Sequence, residues 1–227
     1  MSIFYTYLQT VRMDFNFSRD FFKKKHKKIA NSSKVFNQIS TRLSTEINLQ
    51  NQLAIVVEGA MDLTHSDAGT LYSLHDDQFL RFEVVMNRTL NINKKAPDIN
   101  FPDIEVYKDG EPNNSMIVAC SVLQEKSIRV ADVYKEESFN FSGTRTFDEK
   151  TGYHTHLVLT VPIRDFEKKI IGVIQLINAQ DINKAIREYN DKDEELVNLF
   201  VLQTAFTLSS NILIDKQKAL FNSIQTT

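Results

Sequence analysis

Tryptophan is absent from this chain, and cysteine occurs once in 227 residues, at Cys120. A single thiol cannot form an internal disulfide, and a cysteine-rich zinc site is excluded with it. Glycine (6) and proline (4) are scarce. The glycines at 59, 69, 110, 143, 152 and 172 are scattered, so no glycine-rich phosphate cradle is visible. No apolar run approaches the roughly 18 residues of a membrane-spanning helix. The opening MSIFYTYLQTVRMD has neither a basic leader nor a clean apolar stretch, so no secretory signal is expected. Neither sign of charge dominates, with 27 Lys plus Arg against 29 Asp plus Glu. A dedicated nucleic-acid binder usually carries a marked basic excess, so that class is set aside. No P-loop, dinucleotide fingerprint, GxSxG elbow or HExxH helix occurs. No linear pattern assembles a nucleophile, a base and an orienting group, so catalysis on this chain is not expected.

What is present is ordinary globular material, 42% hydrophobic and 25% charged. The length fits one large domain, or one domain with extensions, and the expected setting is cytoplasmic. Residues 1–34 stand apart as an aromatic and basic lead segment. They interleave Phe4, Tyr5, Tyr7, Phe15, Phe17, Phe21 and Phe22 with polar residues and end in the run Lys23 to Lys28. Such short charge runs are usually solvated; anchoring at an anionic surface is the alternative.

From residue 35 the patterning becomes regular. Val35, Ile39, Leu43 and Ile47 recur at spacing four, and Leu53, Val56, Ala60 and Leu63 continue on a second stripe. This predicts a helix over 35–63, broken once, with Asn48 as the N-cap of the second part. Strands are predicted at 69–75 and 79–87, joined by a polar turn into a hairpin. Residues 88–113 read as irregular, with Pro97, Pro102, Pro112 and an Asp109-Gly110 turn signal. A helix is expected at 115–125, holding Cys120 as a small buried apolar residue, and a short strand at 127–131. Residues 132–151 read as irregular, with a short helix near Phe147–Lys150. Strands at 155–163 and 169–178 form a second hairpin, and a helix runs over 191–220. Two connections of about 20 residues inside one domain point to binding loops. The order predicts an α+β fold, an antiparallel sheet with helices on its faces. His154 and His156, at spacing two, would share one strand face. They read as polar residues at a pocket mouth, with metal ligation or proton-linked tuning as the alternatives.

The stretch His65 to Val85 (HSDAGTLYSLHDDQFLRFEVV) resembles the first hairpin of a GAF domain. Phe139 to Asp181 resembles its second half, with the string FDEKTGY followed by VPI and IGVIQLIN. The resemblance covers residues 35–215, leaving 216–227 as the end of the last helix and a tail. It is most similar to the GAF domains of cyclic-nucleotide phosphodiesterases, adenylyl cyclases and bacterial HD-type phosphohydrolases. It implies a sensor module with long N- and C-terminal helices and a small-molecule pocket roofed by loops. Cyclic-nucleotide-binding members share an Asn-Lys…Phe…Asp-Glu motif. Here Asn178 matches the Asn, Ala179 stands where Lys is expected, Tyr189 where Phe is expected, and Asp193-Glu194 match. Lys184 or Arg187 would have to supply the missing cation.

By the same resemblance, Thr70, Met86 and Asn87 would line the pocket floor and Ile117 would close over a ring. Asp148, Thr151 and Thr155 would offer a carboxylate and hydroxyls, and Gln175 both a donor and an acceptor. His156 stands where the family often has Arg. No metal or fixed cofactor is implied; a cyclic nucleotide is the implied ligand. The last helix has apolar residues on two faces, Leu196, Leu199, Phe200, Phe206 and Leu213 on one and Val197, Val201, Leu208 and Ile212 on another. The implied cover is a second copy, a homodimer through the terminal helices that signals to an effector domain or partner. The other reading is a ligand-free dimerisation module whose pocket is filled by Phe141 and Met86.

Overall fold

A computed structural model describes residue 35, residues 37–165, residues 167–202 and residue 205. The lead segment 1–34, the tail, and Phe206, Leu208, Ile212 and Leu213 lie outside the described residues. The predicted helical stretch divides into α1 (residues 37–45) and α2 (Leu49–Thr64). The break falls where expected: Asn48 is extended, and its Oδ1 accepts from the Asn51 N–H at 3.0 Å.

Next come β1 (Ser66–His75) and β2 (Phe79–Asn87), an antiparallel hairpin. The region read as irregular, 88–113, instead carries four short strands: β3 (Ile92–Lys95), β4 (Ile104–Glu105), β5 (Tyr107–Lys108) and β6 (Glu111–Pro112). β3 and β4 both add to β2, and β5 pairs with β6 in a separate two-stranded sheet. Pieces of two to four residues are too short to show an alternation.

Helix α3 (Ile117–Leu123) and strand β7 (Ile128–Val130) follow, each slightly shorter than predicted. The helix near Phe147 is in fact the ten-residue α4 (Ser142–Thr151), ended by Gly152 in the left-handed conformation. β8 (Val158–Arg164) and β9 (Ile170–Ala179) form the second hairpin. Residues 155–157, predicted as strand, precede β8 as irregular chain, as do His154 and His156. The final helix, α5, is described over 191–202 and at 205.

The main sheet runs β3-β2-β1-β9-β8-β7, with β4 added to β2, and every pairing is antiparallel. This is the expected α+β arrangement. Each face has its own core. On one face Leu71, Leu159, Val161, Ile174 and Leu176 pack with Leu53, Val56 and Val57 of α2, Ile39 of α1, and Val197 and Phe200 of α5. On the other face Tyr72, Val158 and Val173 pack under Ile117 and Val118 of α3 and Phe141. Gly59 permits the first layer to close. A methyl carbon there would lie 2.6 Å from Ile39 Cδ1 and 2.8 Å from Phe200 Cζ. A mid-helix glycine disfavours α2 by about 1 kcal/mol against alanine, and what it gains is the close approach of α1 and α5. Among the described residues no helix is long and apolar enough to cross a membrane.

Candidate ligand-binding site

The second face of the sheet is not fully packed. Between β1, β2 and β9 below and α3, α4 and the loop around Phe101 above lies a cavity of about 370 Å3. That is within the range of small-molecule sites. Thr70, Met86, Asn87, Ile117, Thr155 and Gln175 all stand on its wall. Phe141 and Met86 are wall residues that leave this volume open.

Two of the residues assigned to the pocket by resemblance do not reach the wall. Asp148 is 4% exposed and turned into the protein. Its carboxylate accepts from the Thr155 N–H (2.7 Å), the Thr155 hydroxyl (3.0 Å) and the Tyr134 hydroxyl (2.9 Å). Thr151 lies in the last turn of α4, exposed, with its hydroxyl on the Phe147 carbonyl at 2.8 Å. The helix runs through both positions, and that fixes their directions.

The residues not singled out from sequence include Tyr72, Phe82, Phe101, Asn140, Thr144 and Tyr153, all on the wall. Phe82 is held between Tyr72 and Phe101, with ring centroids 4.6 and 5.2 Å away. Tyr153 belongs to the FDEKTGY string and was the residue there with a readable signal, a large amphipathic ring beside a glycine.

Most polar groups on the wall are already bonded inside the chain. The Thr155 hydroxyl serves Asp148. Asn87 Oδ1 accepts from the Leu90 N–H. The Tyr153 hydroxyl donates to Asp67 Oδ2 at 2.9 Å and accepts from Asn178 Nδ2 at 3.1 Å. Burial, reinforced by the Asp67 charge, pushes the Tyr153 phenol far above its ordinary value, so it stays protonated. Thr70 bonds to the Tyr72 hydroxyl, which burial likewise keeps protonated. Among the described residues the Gln175 amide has no side-chain partner. It stands on the central strand β9, between Thr70 of β1 and Thr160 of β8.

Across the cavity is the first turn of α4, with Asn140, Gly143 and Thr144 on the wall. Its N-cap position, Phe141, provides no side-chain cap. The Ser142 N–H is taken by Asn140 Oδ1. A helix start of this kind attracts negative charge. Among the described residues no Lys, Arg, His, Asp or Glu lines the cavity. His156, where the family often has Arg, is exposed and off this wall. Its ring meets that of His154 edge-on at 4.2 Å. Among the described residues no three His, Cys, Asp or Glu side chains are placed to hold a metal.

Of the motif residues, Asn178 braces the cavity wall through Tyr153. Asn178 has φ 56°, in the left-handed region that Asn tolerates. Its Oδ1 accepts from the His156 and Leu157 N–H groups at 2.8 and 3.2 Å, and its Nδ2 also donates to the His154 carbonyl at 2.8 Å. One side chain thereby fixes the whole segment between α4 and β8. Of the two cations offered for the missing lysine, Arg187 is the one that meets Asp193. Arg187 Nη1 and Nη2 donate to the two oxygens of Asp193 at 2.6 and 2.9 Å, and Nη2 also reaches the Thr64 carbonyl at 2.9 Å. Tyr189 is buried, and its hydroxyl pairs with Ser66 Oγ at 2.7 Å.

A GAF domain family model matches residues 48–208. A cGMP-specific 3',5'-cyclic phosphodiesterase of Drosophila mojavensis is 24% identical over 188 residues, 78% of this chain and 15% of that protein. The same enzyme of Drosophila erecta is 22% identical over 184 residues, 78% of this chain and 16% of that protein. The chain thus spans about a sixth of the length of these relatives. Among solved structures, the GAF domain of an Acinetobacter phosphoenolpyruvate-protein phosphotransferase superposes with a TM-score of 0.60 at 13% identity, covering 82% of this chain and 97% of that one. The corresponding domain from Coxiella burnetii gives 0.59 at 14% identity, covering 84% and 98%. At that identity the two structures speak for the fold alone. The family match, the sheet order and the braced cavity agree, and the chain belongs to the GAF domain family, whose members are regulatory modules.

Proposed function

We propose that this GAF domain is a sensor that takes a cyclic nucleotide in the cavity beneath α3 and α4. In this reading the base and ribose lie among Tyr72, Phe82, Ile117 and Phe141, and Gln175 bonds a polar edge from the floor. The cyclic phosphate lies at the first turn of α4, where backbone N–H groups substitute for a cation. The observation that carries the reading is the Gln175 amide, without a side-chain partner among the described residues, on the same open volume as the first turn of α4. The naming of the relatives as cGMP-specific phosphodiesterases supports the ligand class. Binding draws α4 and its flanking loops inward, and Tyr153 and Asn178 convey the shift to α2 and α5. A ligand does this only by binding the two arrangements unequally.

The output is a homodimer through the terminal helices, coupled to an effector such as an HD-type phosphohydrolase or a cyclase. Leu199 and Leu202 of α5, both more than half exposed, support a second copy at that face. The ligand-free dimerisation module is the second reading. What favours it is that Thr155, Asn87 and Tyr153 are satisfied without a ligand.

The test is thermal unfolding of the chain with and without cAMP, cGMP and other nucleotides. Ligand at 100 times its Kd adds about 2.7 kcal/mol, a melting shift on the order of 5–11 °C for a domain of this size. Gln175→Glu should remove the shift while the fold persists, because it places a carboxylate in a cavity that already takes an anion. No shift with any nucleotide, alongside a cooperative transition, moves the reading to the dimerisation module.

A further inference from the structure

Four side chains form a column beside the cavity roof. The Arg145 guanidinium carbon lies 5.6 Å from the Tyr134 ring centroid. His154 stacks on Tyr134 with centroids 4.5 Å apart and planes 15° apart. His156 meets His154 edge-on at 4.2 Å. Tyr134 comes from the chain before α4, Arg145 from α4, and the histidines from the chain after it. The column therefore ties both flanks of α4 to the helix itself. The Tyr134 hydroxyl continues the tie to Asp148, whose other bonds go to Thr155 on the cavity wall.

We propose that this column is a proton-operated clasp on the cavity roof. With both imidazoles neutral, the stack holds α4 down; with both protonated, it parts and α4 loosens. The proposal goes beyond the ligand reading and does not depend on which ligand binds.

The charges around the column decide the direction. The flank before α4 contributes Asp132, Lys135 and Tyr134; α4 contributes Arg145, Asp148 and Glu149; β9 contributes the neutral amide of Asn178. Protonation would set two imidazolium rings in contact. Asp132 and Asp148 favour the charged ring, but both are engaged elsewhere, and burial with the His154 charge outweighs them. Asp132 is paired with Lys135 at 2.8 Å, and Asp148 holds three hydrogen bonds. Glu149 is exposed. His156 cannot step aside by moving its backbone. Its N–H is held by Asn178 and its carbonyl by the Val133 N–H, both at 2.8 Å. The strain is therefore relieved on the Tyr134 side, against α4. Burial, and then the neighbouring His154 charge, hold the His156 imidazole below its usual value. A base held low favours the clasped form above about pH 6.5, and that preference is lost as pH falls further.

The test is hydrogen exchange of the full chain at about pH 7.5 and about pH 5.5, corrected for the intrinsic rate. The expected result is a loss of protection of at least about fivefold in peptides from 142–151, with β1 and β9 unchanged. The double variant His154→Gln/His156→Gln should show no pH response in α4. His156→Gln alone keeps the comparison if the double variant is poorly folded. Tyr134→Phe retains the stack but cuts the tie to Asp148, and should raise exchange of α4 at both pH values. Equal protection of 142–151 at the two pH values would overturn the proposal. So would a histidine variant that responds like the wild type, or a parallel loss across β1 and β9, which would mark global unfolding.

Discussion

Arg187 and Asp193 make a two-pronged ion pair, six residues apart, at the point where the chain leaves the sheet for α5. The pair also closes the helix. Asp193 Oδ2 accepts from the Asn190 N–H at 3.0 Å, and Asn190 Oδ1 accepts from the Asp193 N–H at 3.2 Å, a reciprocal capping box. Arg187 reaches on to the Thr64 carbonyl and so fastens the end of α2 to the start of α5. Hydrogen bonding to Asp193 raises the already high guanidinium pKa further, so the cation is permanent.

Removing Arg187 strands a carboxylate that is only 5% exposed. Arg187→Ala should cost about 3 kcal/mol, near the low end for a broken buried pair because the guanidinium is partly solvated. Arg187→Lys keeps the charge but cannot fork to two oxygens, and should lose about half as much. Urea denaturation measures both. An Arg187→Ala variant as stable as the parent would show that the pair contributes nothing.

Asn178 can be dissected in two steps. Asn178→Gly keeps the left-handed backbone and loses the four side-chain bonds, leaving the His156 and Leu157 N–H groups without partners, at about 2 kcal/mol or more. Asn178→Ala adds the strain of a positive φ, about 1 kcal/mol beyond the glycine variant. The order of denaturation midpoints should be Asn, Gly, Ala. Alanine equal to glycine would mean the backbone there relaxes.

Among the described residues three tyrosines, Tyr72, Tyr153 and Tyr189, are buried. Burial is the main cause holding all three phenols far above their ordinary value. An acid held high contributes stability that is complete below the unfolded-state value near 10 and is lost as pH rises above it. Each would remove about 1.4 kcal/mol per pH unit in that region. Absorbance of tyrosinate should rise for these three only together with loss of the far-ultraviolet signal. Full ionisation of all seven tyrosines in the folded chain would contradict their placement.

Gly59→Ala sets helix propensity against packing. Alanine gains about 1 kcal/mol in α2. Its methyl group meets Ile39 and Phe200 at distances that force a shift, costing about 1–3 kcal/mol. The net expectation is destabilisation, and the double variant Gly59→Ala/Ile39→Val should recover part of it. A raised melting temperature for Gly59→Ala alone would show that the three helices are not in contact there.

The two long hairpins were legible because β1, β2, β8 and β9 each carry a run of strand-forming residues ending at a polar turn. Asn48 was legible because capping is local chemistry. The strands β3 to β6 were not, since their pairing is set by the edge of β2 and not by any pattern of their own. Helix α4 was read only in part. It is polar along most of its length, and Asp148 is buried only because Thr155 and Tyr134 come from elsewhere to bond it. Thr151 was assigned to the pocket as though its segment were a loop; the helix turns it outward. The cation that meets Asp193 was legible as a choice of two residues. Only the fold separates them: Lys184 sits in the turn after β9, and Arg187 beyond the Gln180–Ile186 bridge that closes it.

The first residues of β1 have a consequence for how the two faces of the sheet communicate. Tyr189 bonds Ser66, Ser66 bonds Thr64, and the Thr64 hydroxyl donates to the Ala60 carbonyl, so the chain of hydroxyls runs one way into α2. The next residue, Asp67, accepts the hydrogen bond of the Tyr153 hydroxyl from the cavity wall. Cavity and helical layer are thus a single peptide unit apart at this point, although an entire sheet separates them elsewhere. Ser66 and Asp67 form a mechanical splice. A substitution there would disconnect the two compartments while leaving each one intact.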